Sequence, residues 1–194
     1  MNRLSLLALL AAGCSAPISN PPPTPPPYTP QPPAEALGVG DPLPQLKVSG
    51  WLHGPPPTPD SPSVKLLLVD VWAAWCPYCR QGAPGLLRMH QKYAARGVAF
   101  LSVTNMSMQA AEIFSEQCNI PWPNGYMLVP ELLPAFGASS GMQNEGYAVA
   151  PVVYLVGPDG KIRWTDKQSR YRHANLKVWE KELDDAIEAA LPKN

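Results

Sequence analysis

Val69-Asp70-Val71-Trp72-Ala73-Ala74-Trp75-Cys76-Pro77-Tyr78-Cys79-Arg80 is the stretch on which the reading of this 194-residue chain turns. An aliphatic run, Leu66 to Val71, leads straight into an aromatic-flanked Cys-x-x-Cys, and a helix is predicted to begin at the first cysteine. Two thiols at that spacing can close a small disulfide ring and open it again. Redox chemistry, a metal site and a structural cross-link compete for such a pair.

Working outward, Val64 to Trp72 reads as a strand buried on both faces. The helix after it runs from about Pro77 to Ala95, with Leu86, Leu87, His90 and Tyr93 at helical spacing, and Gly97 stops it. Val98 to Val103 is a second buried strand and Ser107 to Cys118 a second helix, whereas Ile120 to Gly146 reads as loops around one short helix. Val149 to Val156 is a third strand, Gly157-Pro158-Asp159-Gly160 a hairpin turn, and Lys161 to Thr165 its antiparallel return. A last helix, Leu176 to Leu191, carries one apolar stripe. Upstream, Leu46, Val48 and Trp51-Leu52 predict a short edge strand. Together these elements predict an α/β fold, a mixed central sheet with helices on both faces, over residues 37–194.

The front of the chain differs in kind. Formal net charge is zero and no basic block occurs, which excludes the electrostatic footprint of a nucleic-acid binder. Of the 26 prolines, ten crowd between Pro17 and Pro33. Such a run favours polyproline II and acts as a semi-rigid spacer, about 60 Å for about twenty residues. Ahead of it, Arg3 precedes an apolar run from Leu4 to Ala12 that is too short to span a bilayer. Small residues then lead to Cys14. Residues 1–13 resemble a bacterial lipoprotein signal, which implies lipidation of Cys14, a linker over 14–36 and a domain held off a membrane. An ordinary secretory leader cleaved near Gly13 is the alternative, and it leaves Cys14 without a role. Both place the domain in the cell envelope, where disulfides persist, with inner and outer membrane left open.

Four cysteines are present. With Cys14 lipidated, three remain, the wrong parity for a disulfide framework. Zinc at Cys76 and Cys79 needs two further ligands, and Cys118, His53, His90 and His173 stand at no paired spacing, so neither metal nor cofactor is expected. A structural disulfide closing so short a loop removes little chain entropy. Redox use remains. Cys76 falls at a helix N-terminus, where unpaired N–H groups and the helix dipole stabilise a thiolate, and Pro77 suits the first helical position. Cys79, one turn inward, is expected to be the more buried. Cys76 is then the attacking thiol and Cys79 the resolving one.

The set Val69-Asp70-Val71-Trp72-Ala73-x-Trp75-Cys76-x-x-Cys79, with Pro84 five residues on, resembles the active-site region of thioredoxins. The upstream Gly40-Asp41-Pro42-x-Pro44 and the later Ala150-Pro151 before the third strand are closer to the membrane-tethered TlpA/ResA-like branch. That resemblance, over about Leu37 to Leu191, implies a thioredoxin-like fold with an N-terminal strand extension. It also implies a cis-proline at Pro151 after Ala150, beside the dithiol, where substrate backbone pairs. Asp70 becomes a buried proton acceptor for the resolving thiol, and Pro84 a kink in the first helix. Trp75 reads as a rim residue touching substrate, Trp72 as packing, Cys118 as a core thiol and the three histidines as structural.

The activity so implied is thiol–disulfide oxidoreduction. Its partners are protein disulfide substrates and a membrane thiol donor, and its most frequent setting in that branch is cytochrome c maturation. A dithiol oxidant or isomerase, and a non-catalytic binding module that kept the fold, are the rivals. A peroxiredoxin wants Pro and Thr where Val69 and Ala73 stand. Pro77-Tyr78, the dipeptide familiar from glutaredoxins, tunes the direction of electron flow and leaves it open.

Overall fold

A computed structural model describes residues 37–126, 150–166 and 175–192. The signal, Cys14 and the linker lie outside the described residues, as do His173 and residues 127–146 of the stretch read as loops around one short helix. The elements are β1 (Gly50–Leu52), β2 (Leu66–Val71), α1 (Pro77–Tyr93) ending in a 3-10 turn (Ala94–Arg96), β3 (Val98–Thr104) and α2 (Met108–Cys118). They continue with β4 (Asn124–Tyr126), β5 (Val152–Val156), β6 (Ile162–Thr165) and α3 (Leu176–Ala190). Among the described residues six strands form one mixed sheet in the order β1-β4-β3-β2-β5-β6.

The centre of that sheet follows from composition. All six residues of β2, Leu-Leu-Leu-Val-Asp-Val, are buried. A strand without a polar alternation has no solvent face and takes a central position. It pairs in parallel with β3, Leu66 opposite Val98 through Val71 opposite Val103, and antiparallel with β5. The helix ends are equally local in origin. Gly97 caps the turn after α1 at φ 92°, a left-handed conformation that a side chain would strain. The Ser107 hydroxyl accepts the Ala110 N–H at 3.3 Å to start α2, and the Asn175 amide oxygen accepts the Val178 N–H at 3.3 Å to start α3.

Helices α1, α2 and α3 all deliver buried side chains to one core, where Leu86, Met89, Phe114, Trp179, Leu183 and Ile187 meet Leu66, Leu68, Phe100 and Val153. The other face is covered, among the described residues, by the segment ahead of β1. Gly40 and Leu43 bond to the backbone of Ile162 and Gly160 at one edge of the sheet. Leu43, Leu46, Val48 and Trp51 then pack across Leu67, Val69, Leu101, Val103 and Tyr154, and the strap ends as β1 at the opposite edge. Eight extended residues at about 3.3 Å each cover roughly 26 Å, the width of about five strand spacings. Leu46 and Val48, expected within the edge strand, are instead the packing residues of this strap.

The strand β4 overturns the reading of Ile120 onward as loops. Its Asn-Gly-Tyr carries no apolar pattern, and it forms because Asn124 is held from both sides. Trp72 Nε1 donates to Asn124 Oδ1 at 2.9 Å, and Asn124 Nδ2 donates to Ser115 Oγ at 2.9 Å. Gly125 lets Trp51 lie against β4, since a Cβ there would come within 2.9 Å of the indole.

On the outside, α1 and α3 run side by side through a ladder of ion pairs: Arg88 with Glu180, Lys92 with Asp184, Arg96 with Glu188. The Tyr93 hydroxyl sits inside it, donating toward Asp184 Oδ1 at 2.6 Å and Glu188 Oε1 at 3.0 Å.

Candidate active site

The dithiol stands where β2 ends and α1 begins. Trp72 N–H still bonds to the Val103 carbonyl, and the chain then turns through Ala73 to Trp75 into the helix. Cys76 is the residue that caps α1, in an extended conformation with φ −86° and ψ 109°. Its sulfur accepts the Cys79 N–H at 3.3 Å, so the helix N-terminus points at that atom. Its thiol donates toward the Ala150 carbonyl at 3.6 Å, and the Ala150–Pro151 peptide that follows is cis. The predicted cis-proline beside the dithiol is therefore found. Cys76 and Cys79 are not bonded to each other.

Burial does not separate the two thiols as the sequence suggests: each is 2 % accessible. The Cys79 N–H and the Ala150 carbonyl both lie against the Cys76 sulfur. Electrostatics separates them instead. Burial pushes the Cys79 thiol far up, followed by its hydrogen bond to Cys76 and the charges of Cys76 and Asp70. The geometry can hold a thiolate at Cys76 while Cys79 keeps its proton. Trp75, 54 % accessible, forms the rim of this pole of the molecule. Pro84 lies inside α1.

Asp70 is 3 % accessible and lies in register with Ser102 on one side and Val153 on the other. The Ser102 hydroxyl donates to its Oδ2 at 3.4 Å. Its charge reaches Cys79 and also Cys118, half-buried at the end of α2, whose thiol is pushed up by burial first. Arg80, which bonds to Gln117, lowers the Cys118 thiol in the opposite sense. Among the residues singled out in the sequence, Cys76, Cys79, Ala150, Pro151 and Asp70 thus converge. Cys118 stays a thiol to one side. His90 packs against Phe100 and Trp122, with ring centroids at 5.1 and 5.2 Å, and His53 sits in a loop with φ 62°.

Two supports were not anticipated. Asp166 accepts the Val153 N–H at 2.7 Å and the Trp179 indole N–H at 2.9 Å, which ties the start of β5, just after the cis-proline, to α3. Nothing in its local sequence signals this. Ser102 did carry a signal: it is a polar residue within the aliphatic Val98 to Thr104, and pairing the two strands in register sets it opposite Asp70.

Residues 39–165 match the AhpC/TSA family. The chain belongs to that family. Over 156 residues, it is 28 % identical to the Thiol:disulfide interchange protein DsbE of Yersinia pestis, covering 77 % of this chain and 72 % of that one. It is 30 % identical over 70 residues to Protein FixW of Rhizobium leguminosarum, covering 36 % of this chain but only 31 % of FixW. Among solved structures it is similar to a Chlorobium tepidum protein assigned as thiol:disulfide interchange protein DsbE. That likeness has a TM-score of 0.58 at 21 % identity, over 81 % of this chain and 100 % of the other. At that identity the likeness carries the fold, a thioredoxin-like mixed sheet with helices, as expected from the residues around the dithiol. Thiol–disulfide exchange is the chemistry for which this site is built.

Proposed function

We propose that the chain is an exported thiol–disulfide oxidoreductase, tethered through Cys14 and the Pro-rich linker, that reduces protein disulfides with the Cys76/Cys79 dithiol. The carrying observation is the asymmetry of the pair: Cys76 at the helix cap accepts the Cys79 N–H, and Cys79 is held protonated. The Cys76 thiolate attacks a substrate disulfide. The substrate S–S bond breaks, a Cys76–substrate mixed disulfide forms, and the first substrate sulfur leaves as a thiolate that takes a proton from water. Cys79 then gives its proton to Asp70 and attacks the Cys76 sulfur. The Cys76–Cys79 disulfide forms, the second substrate thiolate leaves, and two electrons have passed to the substrate. A membrane thiol donor restores the dithiol by the same exchange in reverse. Trp75 and the Ala150-Pro151 edge supply the surface on which the substrate chain lies.

The test is a pair of variants on a disulfide protein such as insulin. Cys76→Ser should abolish reduction, and Cys79→Ser should accumulate mixed disulfides; wild-type turnover by Cys76→Ser sinks the mechanism. Direction of flow is a separate measurement. A reduction potential near about −270 mV supports the reductant, and one near about −120 mV replaces it with the oxidant reading that Pro77-Tyr78 leaves open. Hydroperoxide consumption is the activity to exclude for a member of this family in which Val69 and Ala73 replace the peroxidatic Pro and Thr. Fatty-acid labelling that requires Cys14 tests the anchor. Apocytochrome c is the first substrate to try.

A further inference from the structure

Beneath the dithiol three buried side chains from separate parts of the chain form a hydrogen-bonded line. Trp122 Nε1 donates to Ser102 Oγ at 2.8 Å, and Ser102 Oγ donates to Asp70 Oδ2 at 3.4 Å. The direction is set by donor inventory. An indole N–H is a donor only, so it occupies a lone pair of the Ser102 oxygen and leaves the hydroxyl hydrogen to be given elsewhere. The acceptor that hydrogen meets is the Asp70 carboxylate. The Ser102 hydrogen therefore points at Asp70, an arrangement that favours the carboxylate against the burial that favours the acid.

The line is also held from outside. Ser102 N–H bonds to the Pro123 carbonyl at 2.9 Å, so the backbone next to Trp122 is pinned to the strand that carries Ser102. Prolines on both sides, Pro121 and Pro123, restrict the segment. The indole itself is packed by Phe100, centroids 5.4 Å apart, and by His90.

We propose that Ser102, oriented by Trp122, is a positioning residue that keeps Asp70 a carboxylate and so sets the pH range over which Cys79 is deprotonated for the resolving step. This rests on the reading of Asp70 as the proton acceptor. Among the described residues, titratable groups reach it from α1 and α2. Cys79 of α1 and Cys118 of α2 are both within reach of its charge, Arg80 acts on Cys118, and His90 of α1 faces the Trp122 ring. From β5, its cross-strand neighbour is the apolar Val153.

The experiment forms the mixed disulfide between Cys76 and a chromogenic aromatic thiol and follows its resolution by Cys79 as a function of pH. Ser102→Ala should move the inflection of that rate upward by about one pH unit and slow resolution about tenfold at pH 7, the loss expected of one hydrogen bond to a charged group. Trp122→Phe keeps an aromatic ring in the core, removes the N–H together with part of the indole, and should move the inflection the same way by less. Ser102→Thr keeps the hydroxyl and should keep the wild-type profile, whereas Ser102→Val, of the same shape as threonine but without the hydroxyl, should not. Asp70→Asn is the reference. If it leaves the resolving rate and its pH profile unchanged, the acceptor reading itself falls. If it removes the inflection while Ser102→Ala and Trp122→Phe keep the wild-type profile, the positioning role alone is overturned.

Discussion

Along β2 the side chains of Leu67, Val69 and Val71 go to one face of the sheet and those of Leu66, Leu68 and Asp70 to the other, and the two faces are built differently. The strap-covered face is aliphatic apart from the rings of Tyr154 and Trp51. The helix-covered face carries the dithiol and, a few residues from it, buried Asp70, Ser102, Asn124 and Ser115, linked by hydrogen bonds. Both faces come from the same strands, one residue out of step. Polar groups in a core weaken it unless they are partnered, and on this face Asp70, Ser102, Asn124, Ser115 and Asp166 all take part in hydrogen bonds. Stability and chemistry are thereby divided between the two sides of one sheet.

The sharpest way to break that division is to exchange one residue on each face. Asp70→Asn should slow resolution of the mixed disulfide by about a hundredfold or more, the usual scale for loss of a positioned base. Its urea midpoint should hold or rise, because a buried charge has been removed. Leu101→Ala, on the strap face, should do the reverse: a loss of about 3 kcal/mol from transfer and cavity terms, with exchange per folded molecule unchanged. Equilibrium unfolding and stopped-flow resolution on both variants decide it. A stability loss in Asp70→Asn as large as that of Leu101→Ala, with its exchange rate intact, would dissolve the contrast.

A milder cut separates the strap from the sheet it covers. Trp51 is half-buried and fits against Gly125. Trp51→Ala should cost about 1–2 kcal/mol in partly buried area, expose β4 to faster amide exchange, and leave the resolving step alone. Slower resolution in that variant would mean that the strap reaches the site through β4 and Asn124.

How far the sequence reaches follows the same division. The long apolar elements β2, β3, β5 and the three helices were legible because their periodicity is local, as is the stop at Gly97. The Cys76–Cys79 pair and the cis Ala150-Pro151 were legible because resemblance concentrates in them. The strand β4 was not, since three residues held by Trp72 and Ser115 have no pattern of their own. Nor was the equal enclosure of the two thiols, or the approach of the Ala150 carbonyl to Cys76 from 74 residues away. Ser102 and Trp122 stand between: the polar break in an aliphatic strand was visible, and its partner appeared only once β2 and β3 were set in register.

The smallest effect belongs to the ladder between α1 and α3, which lies outside both faces. Glu188 is held down at about 2, by the Arg96 guanidinium first and the Tyr93 hydroxyl second. Its folded value lies below its ordinary 4.5, so its contribution to docking α3 is full above that pH and disappears as pH falls toward 2. Tyr93 titrates at the other end. Burial first, then its bond to Asp184, pushes it up to about 12, so its contribution is full below its ordinary 10 and is lost between 10 and 12. Melting curves across these two windows should show an acid limb that Glu188→Gln flattens and an alkaline limb that Tyr93→Phe flattens. The pairs are exposed and screened, so about 1 M salt should shrink the acid limb in the wild type as well. The rate of disulfide exchange should follow neither change, because the ladder holds the helix that carries the dithiol from its far side and touches no group of the line from Trp122 to Asp70.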